Sequence, residues 1–230
     1  MYPVLFKLGP IPIHSYGVAL ALAFLTAAFL ARRRAFALGG NGDDILDLCV
    51  WLIVSGLIGG RLLFVLLNLE YYRENPIDTL KLWQGGLVWY GGLIAALLAA
   101  VIFLSAKKMP ILKTCDLMAP YVALGQSIGR IGCFLNGCCY GKEIAPGLIH
   151  PTQLYESAAM FVVFLILRKR VPGNGKTLFL YLILYSSIRF AIEFLRGDNP
   201  AILMGLTISQ LISIAIFTTA VILWKIIPSK

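Results

Sequence analysis

Apolar runs of close to twenty residues recur along this chain, and that length is the first constraint on its fold. A helix rising 1.5 Å per residue needs about twenty residues to cross ~30 Å of hydrocarbon. Seven such runs fall at roughly 15–35, 45–68, 87–105, 115–135, 153–168, 177–196 and 206–227. The 59% hydrophobic and 13% charged content, with a mean hydropathy of +0.84, fits a lipid-facing surface and not a water-facing one. The predicted fold class is therefore an all-α integral membrane protein of about seven transmembrane helices, forming a single polytopic membrane domain over residues 1–230. Glycines and polar residues interrupt the fourth run. Pro3, Pro10 and Pro12 precede the first run and no basic segment does, so that run is read as a retained span.

Basic residues flanking a span are retained on the cytoplasmic side. Twelve lie after the odd-numbered runs: Arg32, Arg33, Arg34, Lys107, Lys108, Lys113, Arg168, Lys169, Arg170, Lys176, Lys225 and Lys230. The opposite loops hold five, Lys7, Arg73, Lys81, Lys142 and Arg196. This asymmetry predicts an outer N-terminus, a cytoplasmic C-terminus and a small external head. It also accounts for the net charge of +9 as loop charge facing anionic membrane lipids, so no nucleic-acid partner is expected.

An ionisable side chain inside a span costs about 2.5–3.5 kcal/mol near the centre on insertion scales, and so demands a partner or a wet cavity. The candidates are Arg61, Asp116, Arg130, Glu156, Arg189 and Glu193. Asp116 and Glu156 lie near run ends, within reach of the interface. Arg61 reads as a structural or snorkelling charge. Arg189 and Glu193 are four apart on one helix face, either as a self-neutralising pair or with Glu193 orienting a guanidinium whose other donors meet an anion.

The densest signal is Gly125-Gln126-Ser127-Ile128-Gly129-Arg130-Ile131-Gly132-Cys133-Phe134-Leu135-Asn136-Gly137-Cys138-Cys139-Tyr140-Gly141. Its glycines allow close helix approach, or a partly unwound backbone offering N–H donors to an anionic headgroup beside Arg130. A second cluster, His150-Pro151-Thr152-Gln153-Leu154-Tyr155-Glu156, carries a helix start at Pro151, with Thr152 as cap and Glu156 complementing the first turn. Tyr16 reads as an interfacial aromatic. The cysteines, Cys49, Cys115, Cys133, Cys138 and Cys139, lack C-x-x-C spacing, and the chain has two histidines. They read as packing residues, with thiol redox chemistry or a zinc site as the alternatives.

Taken in order, Gly129-Arg130-x-Gly132, Asn136-Gly137, the His150 to Glu156 cluster, and Arg189-Phe190 with Glu193-Phe194 and Arg196 resemble the bacterial prolipoprotein diacylglyceryl transferases. Tyr16-Gly17, Gly85-Gly86 and Gly91-Gly92 extend the likeness over almost the whole chain. The resemblance implies a multi-pass enzyme of the bacterial inner membrane. It would transfer the diacylglyceryl group from phosphatidylglycerol to the lipobox cysteine of a prolipoprotein signal peptide, with no cofactor and no metal. Arg130, Arg189, Tyr16 and Glu193 are the implied catalytic residues. Asn136, Gly141, Gln153, Tyr185 and Tyr90 join the two arginines in the implied substrate site.

The chain departs from that pattern in places. Many relatives carry histidine where Tyr90 stands, and tyrosine is a poor base at neutral pH. Cys133 and Cys138 replace a common Asn and Glu, and only residues 142–149 separate the glycine-rich motif from His150. These departures keep a related phospholipid-dependent transferase with another acceptor in play. An anion carrier built on buried arginines and a thiol oxidoreductase are the alternatives from other classes.

Overall fold

The computed structural model describes residues 2–8, 11–81, 85–200, 202 and 205–227, with the side chains of Leu8 and Ile11 excepted. Pro10 and Lys230, which entered the reading of the first run and of the charge asymmetry, lie outside the described residues. Strands β1 (Val4–Leu8) and β2 (Ile11–His14) pair antiparallel and lead into helix α1 (Ser15–Ala37). There follow α2 (Gly42–Leu67), the short α3 (Leu69–Glu74), a 3-10 turn (Pro76–Leu80), α4 (Trp89–Ala106) and α5 (Ile111–Asn136). Strands β3 (Glu143–Ala145) and β4 (Leu148–Ile149) form a second small hairpin before α6 (Thr152–Leu167), α7 (Lys176–Glu193) and α8 (Ile208–Ile226). The two hairpins are additions to the expected all-helical fold.

Each of the seven apolar runs coincides with one long helix. Four of these, α1, α2, α4 and α8, are long and apolar enough to cross a membrane. Helix α6 is apolar but has 16 residues. Helices α5 and α7 carry charges within their length, Lys113, Asp116 and Arg130 in one and Lys176, Arg189 and Glu193 in the other. Trp51, Val54, Ile58 and Leu62 on α2 and Leu97, Leu98, Val101 and Ile102 on α4 are exposed, a distribution that suits a lipid surround.

The described residues form two compact units, one of residues 1–34 and 112–230 and one of residues 35–111. In the second, α2 and α4 pack at glycines. A Cβ placed on Gly59 would overlap Ala95 Cβ and lie 2.6 Å from the Gly91 carbonyl oxygen, and one on Gly92 would lie 2.9 Å from the Gly56 oxygen. Arg61 is buried here. Its guanidinium donates to the carbonyls of Asp78, Thr79, Lys81, Gly85 and Gly86 and stacks near Phe64 and Tyr72. It ties the segment between α3 and α4 to α2, the structural role expected of it, with backbone carbonyls and not the membrane surface as its partners.

In the first unit, one end of the helices gathers the start of α1, the end of α5, the start of α6, the end of α7 and the start of α8. The N-terminal hairpin joins them there: Tyr2 N–H donates to the Leu135 carbonyl, and Ser15 donates to that of Pro3. Gly132 admits α1, since a Cβ on it would lie 2.6 Å from Ala19 Cβ. Ser127 and Ser157 exchange hydrogen bonds between α5 and α6, each hydroxyl donating to the other's carbonyl at 2.9 and 2.8 Å. At the opposite end Asp116, buried within the unit, accepts the N–H groups of Gly173, Gly175 and Leu178. That carboxylate satisfies donors that a helix start leaves unpaired.

Candidate active site

Helix α6 buries one stripe, Gln153, Glu156, Ser157, Met160, Val163, Phe164 and Leu167, at the spacing of a single helical face. Glu156 is part of that stripe, so its carboxylate enters the interior of the unit. It lies 2.8 Å from Arg130 Nη2 of α5 and 3.7 Å from Arg189 Nη1 of α7. The expectation that Glu156 serves the first turn of its helix is corrected. Pro151 is the N-cap and receives no side-chain cap bond, while Glu156 neutralises two arginines from other helices.

Glu193 is on the Arg189 face as expected, with Oε2 2.9 Å from Arg189 Nη2. That pair is close without hydrogen-bond alignment, and Oε2 makes no hydrogen bond. Glu193 Oε1 accepts from Asn199 Nδ2 at 2.6 Å and from Thr207 Oγ1 at 2.8 Å. Thr207 also begins α8 in a capping box with Gln210, so one side chain fixes the helix start and a site carboxylate. Arg189 Nη2 donates to Ser209 Oγ. Its Nη1 is buried with no hydrogen-bond partner, an unspent donor beside Glu156.

Arg196, assigned to an exterior loop by its sequence position, is buried and bidentate to Asp198 at 2.8 and 2.6 Å, with Glu193 3.8 Å away. Its guanidinium holds the Asp198 carboxyl below the ordinary carboxylate range, by direct hydrogen bonding first. The network thus sets Arg130, Arg189 and Arg196 against Glu156, Glu193 and Asp198, three charges against three.

Tyr185, one turn before Arg189, stacks on Tyr181 and lies within electrostatic reach of Arg130, Glu156, Arg189 and Glu193. Tyr181 donates to Gln126 of α5. Tyr16 opens α1, partly exposed, within reach of Arg130 and the thiols of Cys133, Cys138 and Cys139. Asn136 ends α5 and is exposed. Tyr90 stands in the first turn of α4, edge-on to Trp89, in the second unit. Below Arg189 a groove between α7 and α8 is lined by Ser186, Ser187, Phe190, Ser213, Ile214 and Phe217.

The glycine-rich motif is helical in its first part and unwound in its second. Gly125, Gly129 and Gly132 lie in continuous helix, and the break begins at Gly137. Beyond it the N–H groups of Gly137, Cys138 and Gly141 are spent on the carbonyls of Cys133, Phe134 and His150. Gly141 is needed for fit, since a Cβ there would lie 2.5 Å from His150 Cβ and 2.8 Å from the Leu195 oxygen. Gln153 donates to the Cys138 carbonyl at 2.7 Å and Thr152 to that of Cys139 at 3.0 Å, so Thr152 braces this turn instead of capping α6. His150 and Tyr155 meet edge to face. Cys139, past the helix end, is held below the ordinary thiol range. The hydrogen bond with Cys133 is the main cause, and Arg196 and Arg130 add to it against burial.

The sequence profile of the prolipoprotein diacylglyceryl transferase family matches residues 3–226. The phosphatidylglycerol–prolipoprotein diacylglyceryl transferase of Clostridium tetani (strain Massachusetts / E88) is 37% identical over 232 residues, 93% of each chain. That of Staphylococcus aureus (strain Newman) is 34% identical over 242 residues, covering 95% of this chain and 86% of the relative. With the profile spanning residues 3–226 and relatives at 34–37% identity covering most of both chains, the chain belongs to the prolipoprotein diacylglyceryl transferase family.

Proposed function

We propose that this chain transfers the diacylglyceryl group of phosphatidylglycerol to the lipobox cysteine of a prolipoprotein signal peptide, in the bacterial inner membrane. The thiol loses its proton, the thiolate attacks the terminal glyceryl carbon, and the carbon–oxygen bond to phosphate breaks. The products are a thioether and glycerol phosphate. The nucleophile comes from the acceptor, so none of the chain's own cysteines is consumed.

The observation that carries the reading is Arg189 Nη1, a buried donor with no hydrogen bond in a three-arginine network. A phosphate oxygen satisfies it, and Arg130, whose side chain is 22% exposed, completes a two-arginine clamp. As the carbon–oxygen bond breaks, charge grows on the phosphate, and preorganised guanidiniums in a dry site stabilise that charge more than the ground state. Glu156 and Glu193 fix the guanidinium planes. Tyr16, Tyr185 and Asn136 border the site, and Gln153 and Gly141 shape the turn beside it. The groove between α7 and α8 takes an acyl chain.

On this reading the chain makes seven spans with an outer N-terminus, so that this end of the first unit faces the outer surface, where prolipoproteins arrive. Support comes from the alternating helix directions within that unit and from the basic residues at the other ends. The test is reconstitution with phosphatidylglycerol and a lipobox peptide, reading the mass of the peptide. Arg130→Lys and Arg189→Lys keep charge but lose the planar fork, and each is expected to lower turnover roughly a hundredfold. An unmodified peptide under conditions where a relative works removes the reading, and full activity in both variants removes the clamp.

A further inference from the structure

Three thiols that the transfer reaction leaves unused converge at the end of α5. The sulfur atoms of Cys133, Cys138 and Cys139 all lie within 4.8 Å of one another. From this convergence we propose that Cys133, Cys138 and Cys139 form a binding site for a thiophilic d10 metal ion, with Zn2+ as the representative.

The turn that gathers them is held from outside. Gly137 and Cys139 both have positive φ, 81° and 61°. The left-handed conformation at Cys139 disfavours a residue with a side chain, and it returns the third thiol toward the first. Gln153 and Thr152 fix the carbonyls of Cys138 and Cys139, while the Cys138 and Gly137 N–H groups bind back to the Cys133 carbonyl. Such outer bonds orient ligands before a metal arrives.

The dimensions suit zinc. Zinc–sulfur bonds of about 2.3 Å separate tetrahedral sulfurs by about 3.8 Å, so the triad closes by about 1 Å at most. Three thiolates around Zn2+ leave the fourth position to water and give a complex of net charge −1. Arg130 and Arg196, both within electrostatic reach of Cys139, favour that anion. Binding releases the protons of those thiols not already ionised. Soft thiolate donors select zinc, cadmium and copper(I) over magnesium and calcium.

The test uses the full-length protein, reduced and metal-free, in lipid nanodiscs, titrated with Cd2+ and followed by the ultraviolet thiolate-to-cadmium absorption. One equivalent per chain is expected, competed by Zn2+. Cys138→Ser should weaken it by roughly tenfold or more, and Cys49→Ser with Cys115→Ser should leave it unchanged. Cys133 is buried, so a readout on the wild type accompanies the variants. Zn2+ should shield three cysteines from alkylation, counted by mass spectrometry, without altering Cys49 or Cys115. Absence of stoichiometric binding, undiminished binding in Cys138→Ser, or a disulfide within the triad in protein isolated without reductant would each overturn the site.

Discussion

Glu156 of α6 lies 2.8 Å from Arg130 of α5, and its other oxygen faces Arg189 of α7 at 3.7 Å. One buried carboxylate therefore balances two guanidiniums on different helices. Removing it leaves Arg130 without its carboxylate and Arg189 with Glu193 alone, and breaking a buried pair in this way typically costs about 3–5 kcal/mol. Glu156→Gln should lower the thermal midpoint strongly in zwitterionic bilayers and less in phosphatidylglycerol bilayers, where a lipid phosphate restores the missing charge. Equal losses in both lipids would argue against a phosphate at these arginines.

Glu156 also shows where the sequence stops being informative. The seven helices were legible in the apolar runs, and Arg130, Arg189 and Glu193 in the expense of charge inside them. Glu156 stands among the charged candidates of the sequence, but it lies five residues from Pro151, where helix-start chemistry offers a local explanation. The signal against that was its register with Met160, Val163 and Leu167 on the stripe that α6 buries. Arg196, Asn199 and Thr207 were harder to see, since their partners come together only when the segment between α7 and α8 folds back. Arg61 pairs with backbone carbonyls, which no side-chain pattern encodes.

The carbonyl cage around Arg61 gives a separate expectation, since five acceptors from residues 78–86 depend on one guanidinium. Arg61→Ala leaves those acceptors without their donor and should destabilise the second unit by about 3 kcal/mol or more. Arg61→Lys, with a point charge in place of a fork, should recover less than half. Hydrogen exchange of that segment measures both, and unchanged protection in Arg61→Ala would sink the assignment.

Asp116 accepts two N–H groups on Oδ2 and one on Oδ1. Asn in its place turns one acceptor into a donor facing an N–H. Asp116→Asn should cost about 2 kcal/mol and loosen the link before α7, raising proteolysis between residues 170 and 176. A variant as resistant as wild type would contradict this role.

Asp198 binds Arg196 through both oxygens, and that hydrogen bonding lowers its pKa. A depressed carboxylate contributes stability above its unfolded-state pKa near 3.9 and loses it as pH falls through the lower folded value. The side chain is 24% exposed, so screening limits the effect to about 1 kcal/mol. Thermal midpoints should fall as pH drops below about 4 more steeply in wild type than in Asp198→Asn. Parallel slopes would place the acid sensitivity elsewhere.

Two glycines of the same sequence type lead to opposite expectations. Gly91 packs against α2 so closely that a Cβ would overlap the Gly59 carbonyl and lie 2.5 Å from Leu63 Cβ, and backbone cannot yield as a flexible side chain does. Gly91→Ala should force α4 away from α2 and cost about 1–3 kcal/mol, the usual range for overpacking. Gly129, inside α5, has nothing within 4 Å of such a Cβ. Gly129→Ala should be neutral or gain up to about 1 kcal/mol from helix propensity. Unfolding of the two variants in the same bilayer measures the difference. A Gly91→Ala protein as stable as Gly129→Ala would show that α2 and α4 do not meet at their glycines.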